Sequence, residues 1–351
     1  TRRSSDLNMD TQIITNPSEQ ELDMLASALR NGELVSIPTE TVYGLGANGL
    51  DPEAMDKIYA AKGRPSDNPL ILHVPNSESI KPLVTEVSNT AQLLMDTFWP
   101  GPLTITLPKS DLVPDRATGG LPRVALRCPD HKVCRALLER AGVPVAAPSA
   151  NISGRPSPTT AQDVYHDMNG RISYILDAGP CTIGVESTVV EVHDDKVIIL
   201  RPGGITKAQL EGVVSTVEYD TALVNATTKP KAPGMKYTHY APDAPMTVVV
   251  GNPEVIASTF KELSEGIEGP IGCLVSHETY DLIKGDTRFM CHCFGHYGDA
   301  LSLGHDFYKS LLHFNENHVT LILAEGVNDD GFGVAIMNRM EKASSHHIIY
   351  K

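Results

Sequence analysis

The chain has 351 residues, of which 41% are hydrophobic and 21% are charged, and its formal net charge is −14. These values are typical of a soluble globular protein with room for two domains. The strongly negative charge argues against a protein whose main task is to coat phosphate backbones, although it does not exclude a local basic groove.

No apolar run approaches the ~20 residues that a transmembrane helix needs. Met9 resembles a natural start, with no apolar signal region before it, so we expect the fold to begin there. The six cysteines are scattered, which favours reduced thiols and a cytoplasmic location over a disulfide framework. Cys291, Cys293, His292 and His296 leave zinc as an alternative. However, residues 288–294 also have a strand pattern, and no second cysteine pair completes a tetrahedral set.

The first helix is predicted to start with Asn16 as its capping residue and to end at Gly32. A strand over residues 34–37 then leads through a proline into the polar turn 39–41 (Thr-Glu-Thr). Two hydroxyls and a carboxylate at a strand end suit a ligand better than a core, although an ordinary hydrogen-bonded turn is the alternative. The glycines at positions 44, 46 and 49 predict positive φ or close approach to a ligand.

Further elements follow along the first domain. Helices are predicted to begin at residues 51, 89, 131, 160 and 206. Strands are predicted over residues 70–74, 103–107, 123–127, 143–147, 172–176, 186–192 and 196–201, the last two paired as a hairpin. His73 is an odd polar residue in its apolar strand, where a satisfied core histidine is the alternative to a functional one.

Three polar clusters are predicted to follow strands, at residues 39–41, 149–151 and 187–188. Cationic side chains also stand at element ends: Lys62, Arg64, Arg127 and Arg201. Together they suit a substrate with a polyanionic tail and a small polar head, such as a nucleotide beside a small molecule. For any single arginine, surface charge or structural pairing is the alternative. The P-loop and the G-x-S-x-G elbow are absent, which disfavours a P-loop ATPase and an acyl-enzyme.

Residues 220–245 are rich in proline and form a linker that is long for a compact domain. Because residues 233–242 also carry tyrosines, a lysine and a histidine, we expect an active-site lid. From residue 246 onward, strands (247–250, 271–275, 289–294, 319–323) alternate with helices (253–263, 299–314, 332–342). This alternation predicts a small, doubly wound parallel sheet, Rossmann-like but without a G-x-G-x-x-G dinucleotide site.

Several motifs carry a family resemblance: residues 62–65 (KGRP), 148–154 (PSANISG), 186–190 (ESTVV), 201–203 (RPG) and 233–242 (PGMKYTHYAP). With these five motifs in this order, the sequence resembles the threonylcarbamoyl-AMP synthase family, which is the long two-domain form of the YrdC-like tRNA-modification enzymes. The resemblance implies a YrdC-like catalytic domain over residues 9–219 with a twisted mixed sheet, the linker or lid over 220–245, and the Rossmann-like domain over 246–351.

The resemblance implies a nucleotidyltransferase that converts L-threonine, bicarbonate and ATP, with Mg²⁺, into threonylcarbamoyl-AMP and pyrophosphate for tRNA modification. It assigns threonine binding to Thr41, His73, Ser149 and Ser187. It assigns ATP binding to Arg64, Asn68, Asn151, Thr159, Arg201 and Tyr240. Lys62, Arg64 and Arg127 would act at the reacting centre, and no protein side chain is identified as a metal ligand.

Two alternatives concern partners. The chain could instead be an RNA-binding module of the same pathway without turnover, although one Trp and seven Phe offer few stacking platforms. The second domain could be a regulatory or partner-binding module. For the chain as a whole, tRNA or a downstream threonylcarbamoyl-transfer protein is a possible partner. No membrane partner is expected.

Overall fold

The computed structural model describes residues 9–223 and 239–351. They divide into two compact units. The first holds the described residues up to 223, except for residues 154–156 and 183–185, which group with residues 239–351 in the second unit. Most of the predicted lid, residues 224–238, lies outside the described residues, and the domain boundaries at 219 and 246 stay a prediction.

The first unit alternates strands and helices. Its strands are β1 (Gln12–Thr15), β2 (Val35–Ile37), β3 (Gly44–Asn48), β4 (Ile71–His73), β5 (Leu103–Pro108), β6 (Arg123–Arg127), β7 (Val145–Ala146), β8 (Tyr174–Asp177), β9 (Thr188–Val192), β10 (Val197–Arg201) and β11 (Val217–Tyr219). Its α-helices are α1 (Glu19–Arg30), α2 (Pro52–Lys62), α3 (Asn89–Phe98), α4 (Asp115–Thr118), α5 (Lys132–Ala141), α6 (Ala161–Met168) and α7 (Lys207–Glu211). Two 3₁₀ helices cover Ser77–Leu83 and Thr221–Leu223.

In the part of this unit that the structure describes, eleven strands form one sheet, in the order β1-β8-β2-β3-β7-β4-β6-β5-β9-β10-β11. The sheet is mixed, as predicted: β4 runs parallel to β6, whereas β5 runs antiparallel to β6 and β9 antiparallel to β10. Leu25 of α1 and Leu137 of α5 pack with Ile37 in one core, and Met55 of α2 packs with Leu72 in another.

The start of α1 differs from the prediction. The capping residue is Ser18, whose side chain accepts from the backbone of Glu21 while the Glu21 carboxylate accepts from Ser18 N–H. Asn16 has φ 49°, a left-handed conformation that does not suit an N-cap. The cap of α2 by Asp51 is as predicted.

The glycines after the polar turn also differ from the prediction. Gly44 and Gly46 lie in β3, which pairs with β2 and β7, and neither has positive φ. A Cβ on Gly46 would lie 2.7 Å from the backbone oxygen of Val35. The glycine is therefore required by close approach of a neighbouring strand of the same chain.

The second unit has strands β12 (Met246–Val250), β13 (Ile271–Val275), β14 (Phe289–Cys293), β15 (Leu321–Glu325) and β16 (Ile348–Tyr350). Its helices are α8 (Pro253–Ser264), α9 (His277–Ile283), α10 (Ala300–Glu316) and α11 (Gly333–Ala343). The strands are all parallel, in the order β14-β13-β15-β12-β16.

Helices cover both faces of this parallel sheet. Phe260 of α8 packs in one core with Cys273 of β13. The preceding residue, Gly272, lies on the other face, where a Cβ would stand 2.7 Å from the Phe314 ring of α10. The predicted doubly wound architecture is confirmed, although α9 and β16 were not predicted. None of the described helices has the length and apolar character required to cross a bilayer.

All six cysteines are free thiols. Cys291 lies opposite Cys273 in the β13–β14 pair, and His292, next to it, bonds to Asp306 at 3.0 Å. Across residues 9–223 and 239–351, no group of three or more His, Cys, Asp or Glu side chains is arranged to hold a metal ion.

Candidate active site

Several loops of the first unit are tied together by backbone hydrogen bonds. Tyr43 N–H donates to Pro158 O at 3.0 Å, and Ala150 N–H donates to Tyr43 O at 2.9 Å. These bonds join the segment between β2 and β3 to the loop between β7 and α6 at two points, Ala150 and Pro158. The structure thus brings together two of the three predicted polar clusters, residues 39–41 and 149–151.

The third predicted cluster, residues 187–188, lies at the start of a strand and not after one, because β9 begins at Thr188. Since β5 and β9 run antiparallel to β6, their amino ends lie beside the carboxyl end of β6, where Arg127 stands. Thr188 N–H donates to Pro102 O at 3.0 Å, and Arg127 Nε donates to Gly101 O at 3.2 Å. Sheet direction therefore positions Ser187 near Arg127, although the sequence predicted that residues 187–188 follow a strand.

Arg127 is the centre of a buried network with Glu40 and Thr41, which we call the arginine network. Its Nη2 donates to Glu40 Oε1 in an ion pair, and its Nη1 donates to Thr41 Oγ1 at 3.0 Å. Glu40 Oε2 also accepts from Asp130 N–H at 2.7 Å. The Arg127 and Glu40 side chains are only 4% and 8% exposed, so the pair is shielded from solvent.

His73 lies beside this network, directly opposite Arg127 in the β4–β6 pair. Its Nδ1 is 3.1 Å from Ile71 O and 3.3 Å from Val145 O. A carbonyl oxygen only accepts, so Nδ1 carries the proton and Nε2 is the acceptor. Burial, followed by the charge of Arg127, lowers the pKa of His73 to about 3. The imidazole is therefore neutral at physiological pH and offers an acceptor.

Lys62 forms a second network with the loop after β7. The residue ends α2 and is 2% exposed. Its Nζ donates to the backbone oxygen of Ser149 and, at 2.6 Å, to that of Asn151. Burial, followed by the charge of Arg64, lowers the pKa of Lys62, while Asp167 and Glu186 oppose this shift. The lysine thus holds the backbone of a predicted binding loop.

Ser187 and Arg201 form a third network with Thr104. Arg201 Nη2 donates to Ser187 Oγ at 3.2 Å, and its Nε donates to Ser187 O at 3.0 Å. The hydroxyls of Ser187 and Thr104 are 2.8 Å apart. All three residues are buried. Ser187, which is predicted to bind threonine, is therefore in direct contact with Arg201, which is predicted to bind ATP.

Three other residues that are predicted to bind ATP, Arg64, Asn68 and Thr159, are buried in the first unit. Arg64 is buried and its Nη2 donates to Pro69 O at 2.8 Å. Asn68 is 2% exposed, and its Oδ1 has no hydrogen-bond partner among the described residues. Thr159 is buried, and its backbone oxygen accepts from Cys181 N–H at 2.9 Å. An orphaned buried amide oxygen is costly, so Asn68 is suited to accept a bond from a ligand.

Tyr240 belongs to the second unit. It is buried with φ 65°, its ring centroid is 5.4 Å from that of Tyr308, and the Arg339 guanidinium lies 5.9 Å from its centroid.

Some buried polar residues in and around these networks were not among the predicted site residues. They are Thr39, Glu40, Thr104, Ser157 and Glu186. Ser157 Oγ donates to Glu186 Oε2 at 2.6 Å. Thr104 is one of two threonines that alternate with apolar residues in β5, a pattern that also fits a strand with one polar face, so the sequence did not single it out. Glu40 was part of the polar turn, but nothing in the sequence identified Arg127 as its partner.

Comparisons with known proteins cover both units. Residues 27–203 match the Sua5/YciO/YrdC family, described as "Telomere recombination". Residues 205–345 match the family described as "Threonylcarbamoyl-AMP synthase, C-terminal domain".

The chain is 45% identical to the threonylcarbamoyl-AMP synthase of Bacillus subtilis, over 95% of each protein. It is 43% identical to that of Pyrococcus abyssi, over 94% of this chain and 96% of the relative. A crystal structure described as P. abyssi Sua5 complexed with L-threonine matches with a TM-score of 0.88 and 40% identity, over 97% of this chain and 99% of the other. The chain belongs to the threonylcarbamoyl-AMP synthase family.

Proposed function

We propose that this chain is an L-threonylcarbamoyladenylate synthase, which converts L-threonine, bicarbonate and ATP into threonylcarbamoyl-AMP and pyrophosphate. The observation that carries the proposal is the match to a threonylcarbamoyl-AMP synthase over 95% of both chains. The three buried networks of the first unit support it, since they combine hydroxyls, carbonyls and cations without an activated nucleophile. The enzyme would be classed as a nucleotidyltransferase.

The threonine substrate would bind at Thr41, His73, Ser149 and Ser187. Neutral His73 offers an acceptor at Nε2, and Thr41 and Ser187 offer hydroxyl oxygens beside Arg127 and Arg201. A crystal structure of the P. abyssi relative is described as complexed with L-threonine, which supports threonine as the substrate. A carboxylate and an amine of one small molecule would thus find donors and acceptors in one buried place.

ATP would bind at Arg64, Asn68, Asn151, Thr159, Arg201 and Tyr240. The orphaned Oδ1 of Asn68 is suited to accept from the nucleotide, and the guanidinium groups would offset phosphate charge. Lys62 would act by holding the backbone of Ser149 and Asn151. Mg²⁺ would enter with ATP, held by phosphate oxygens and water, because it needs few protein ligands.

The chemistry would need no covalent enzyme intermediate. Bicarbonate takes up a proton and releases water to give CO2, and the threonine amine adds to this CO2 and loses a proton to form a carbamate. A carbamate oxygen then attacks the α-phosphorus, and the bond from this phosphorus to the pyrophosphate oxygen breaks. The chain would contribute positioning and electrostatic stabilisation, with Arg127 and Arg64 at the anionic centre.

The product would supply threonylcarbamoyl for tRNA modification, with tRNA or a transfer protein as the downstream partner. The RNA-binding alternative without turnover is not favoured. The net charge of −14 and the full-length match to synthases both weigh against it.

The test is a mass-spectrometric search for threonylcarbamoyl-AMP after incubation of the full chain with ATP, Mg²⁺, L-threonine and ¹³C-bicarbonate. The expected product carries one ¹³C atom and requires all four components. Reactions without bicarbonate, or with L-serine instead of L-threonine, are the controls. Absence of product from chain that binds neither threonine nor ATP would overturn the proposal.

A further inference from the structure

The turn of residues 39–41 has a fixed hydrogen-bond direction. Thr39 Oγ1 lies 2.6 Å from Val42 O, 3.1 Å from Thr41 N and 2.9 Å from Thr41 Oγ1. A carbonyl only accepts, so the single hydroxyl proton of Thr39 points at Val42 O. Thr39 Oγ1 must then accept from both groups of Thr41, and Thr41 is the donor in the hydroxyl pair.

The same accounting applies to Thr41. Its only proton is directed to Thr39, and one of its two lone pairs accepts from Arg127 Nη1 at 3.0 Å. One lone pair remains, with no partner among the described residues. Thr41 is 1% exposed and its hydroxyl cannot turn to donate without breaking the bond to Thr39. A ligand therefore meets Thr41 as an acceptor only.

Glu40 completes the arrangement from the other side. Its two oxygens accept from Arg127 Nη2 and from Asp130 N–H. Of the five N–H groups of Arg127, three are used by Glu40, Thr41 and Gly101. Two donors, one on each terminal nitrogen, have no partner among residues 9–223 and 239–351. The network thus presents an acceptor at Thr41 beside donors at Arg127.

We propose that Thr39 and Glu40 are positioning residues that fix Thr41 as a hydrogen-bond acceptor and hold Arg127 beside it, so that the site selects an amino acid that donates a hydrogen bond to Thr41. This inference rests on the proposed function. The donating group is either the side-chain hydroxyl or the amine of the substrate. The Thr39 hydroxyl never touches the substrate and acts through Thr41.

The test compares Thr39→Val, which keeps the shape but removes the hydroxyl, with Thr39→Ser, which keeps the hydroxyl. Calorimetry measures the Kd of L-threonine, of L-2-aminobutyrate, which lacks the hydroxyl, and of ATP. We expect Thr39→Val to weaken L-threonine binding by roughly 5- to 100-fold, since a buried hydrogen bond loses its defined direction. We expect Thr39→Ser to stay within about threefold of the wild type, and the Kd of ATP to stay unchanged in both.

The two analogues identify the donating group. If the hydroxyl donates, the preference for L-threonine over L-2-aminobutyrate falls in Thr39→Val. If the amine donates, both ligands weaken equally and the preference is kept. Either result supports an acceptor at Thr41.

The proposal is overturned if Thr39→Val binds L-threonine like the wild type, if Thr39→Ser loses as much as Thr39→Val, or if ATP binding falls in parallel. Circular dichroism of each variant separates these outcomes from misfolding. Failure of the wild-type chain to bind L-threonine would instead contradict the proposed function itself.

Discussion

The Nζ atom of Lys62 lies 2.6 Å from the backbone oxygen of Asn151, 89 residues further along the chain. Lys62 Nζ also donates to the backbone oxygen of Ser149. Through these two bonds, the last turn of α2 holds a loop in which Ser149 and Asn151 are predicted to bind substrates. A buried lysine that donates to carbonyl oxygens fixes the loop backbone. The role of Lys62 therefore depends on the N–H groups that its Nζ donates to the backbone oxygens of Ser149 and Asn151.

Replacing Lys62 by methionine should abolish product formation. The variant keeps the volume of the side chain but leaves the carbonyls of Ser149 and Asn151 without their donor, at a cost of roughly 1–3 kcal/mol in the free energy of unfolding. Stability is measured by urea unfolding followed by fluorescence of Trp99, the only tryptophan, which lies in the first unit. Activity is measured by the mass-spectrometric assay.

The matched control for this variant is Lys81→Met. The Lys81 side chain is 65% exposed in a surface pair with Glu78, so both stability and product formation should stay near wild type. Wild-type activity of Lys62→Met would contradict the positioning role of Lys62.

His73 should make the first unit sensitive to mild acid. Because its pKa in the fold is about 3, below the usual 6.5, the folded state binds fewer protons than the unfolded state between these values. The free energy of unfolding should therefore fall as pH drops from 6.5 toward 3. At pH 4.5 the loss from this residue is roughly 2–3 kcal/mol relative to pH 7.

The measurement is urea unfolding of the wild type and of His73→Gln at pH 7 and pH 4.5, followed by Trp99 fluorescence. His73→Gln should lose less stability on acidification than the wild type. His166→Gln is the control at an exposed position of the same unit. Equal acid sensitivity of the wild type and His73→Gln would show that His73 is not held neutral.

Local signals in the sequence predicted those elements whose ends are set by neighbouring residues. Asp51 caps α2 because its side chain accepts from Glu53 N–H, two residues away, and the apolar run of β13 matches the observed Ile271–Val275. Elements that depend on distant pairing were missed. The glycines of β3 disfavour a strand locally, yet β2 and β7 hold them in one.

The candidate site shows the same limit. The sequence indicated the chemical types, hydroxyls and cations near strand ends, and the family resemblance named most of the positions. The pairing of Glu40 with Arg127 spans 87 residues and depends on the order and direction of the strands between them. No periodicity within either segment encodes that contact, so Glu40 could not be assigned a role from sequence.

The cysteines should differ strongly in reactivity. A hydrogen bond from Cys273 lowers the pKa of the half-buried Cys291 thiol, whereas burial raises the pKa of Cys134, which is 0% exposed. The thiolate is the reactive form, so Cys291 should be alkylated first. Iodoacetamide labelling of the native chain at pH 7.5, followed by peptide mass spectrometry, gives the order. Labelling in urea should equalise the sites, and native Cys134 reacting as fast as Cys291 would refute the prediction.

Gly203 should be intolerant of even one methyl group. A Cβ at this position would lie 2.2 Å from the backbone nitrogen of Thr188 and 2.5 Å from the carbonyl carbon of Ser187. These are backbone atoms, so Gly203→Ala must displace the segment that carries Ser187 and its bonds to Arg201. We expect L-threonine affinity to fall by about tenfold or more, since displaced polar groups lose their partners.

The matched control is Gly212→Ala at the end of α7, where the nearest atom to the added Cβ is 3.4 Å away and φ is −70°. It should bind L-threonine like the wild type. Calorimetric titration of both variants with L-threonine, after circular dichroism has verified their fold, makes the comparison. Because the backbone of Gly203 is not left-handed, a loss confined to Gly203→Ala would result from contact with residues 187–188 and not from backbone strain. Unchanged threonine affinity in Gly203→Ala would mean that the position of Ser187 does not govern substrate binding.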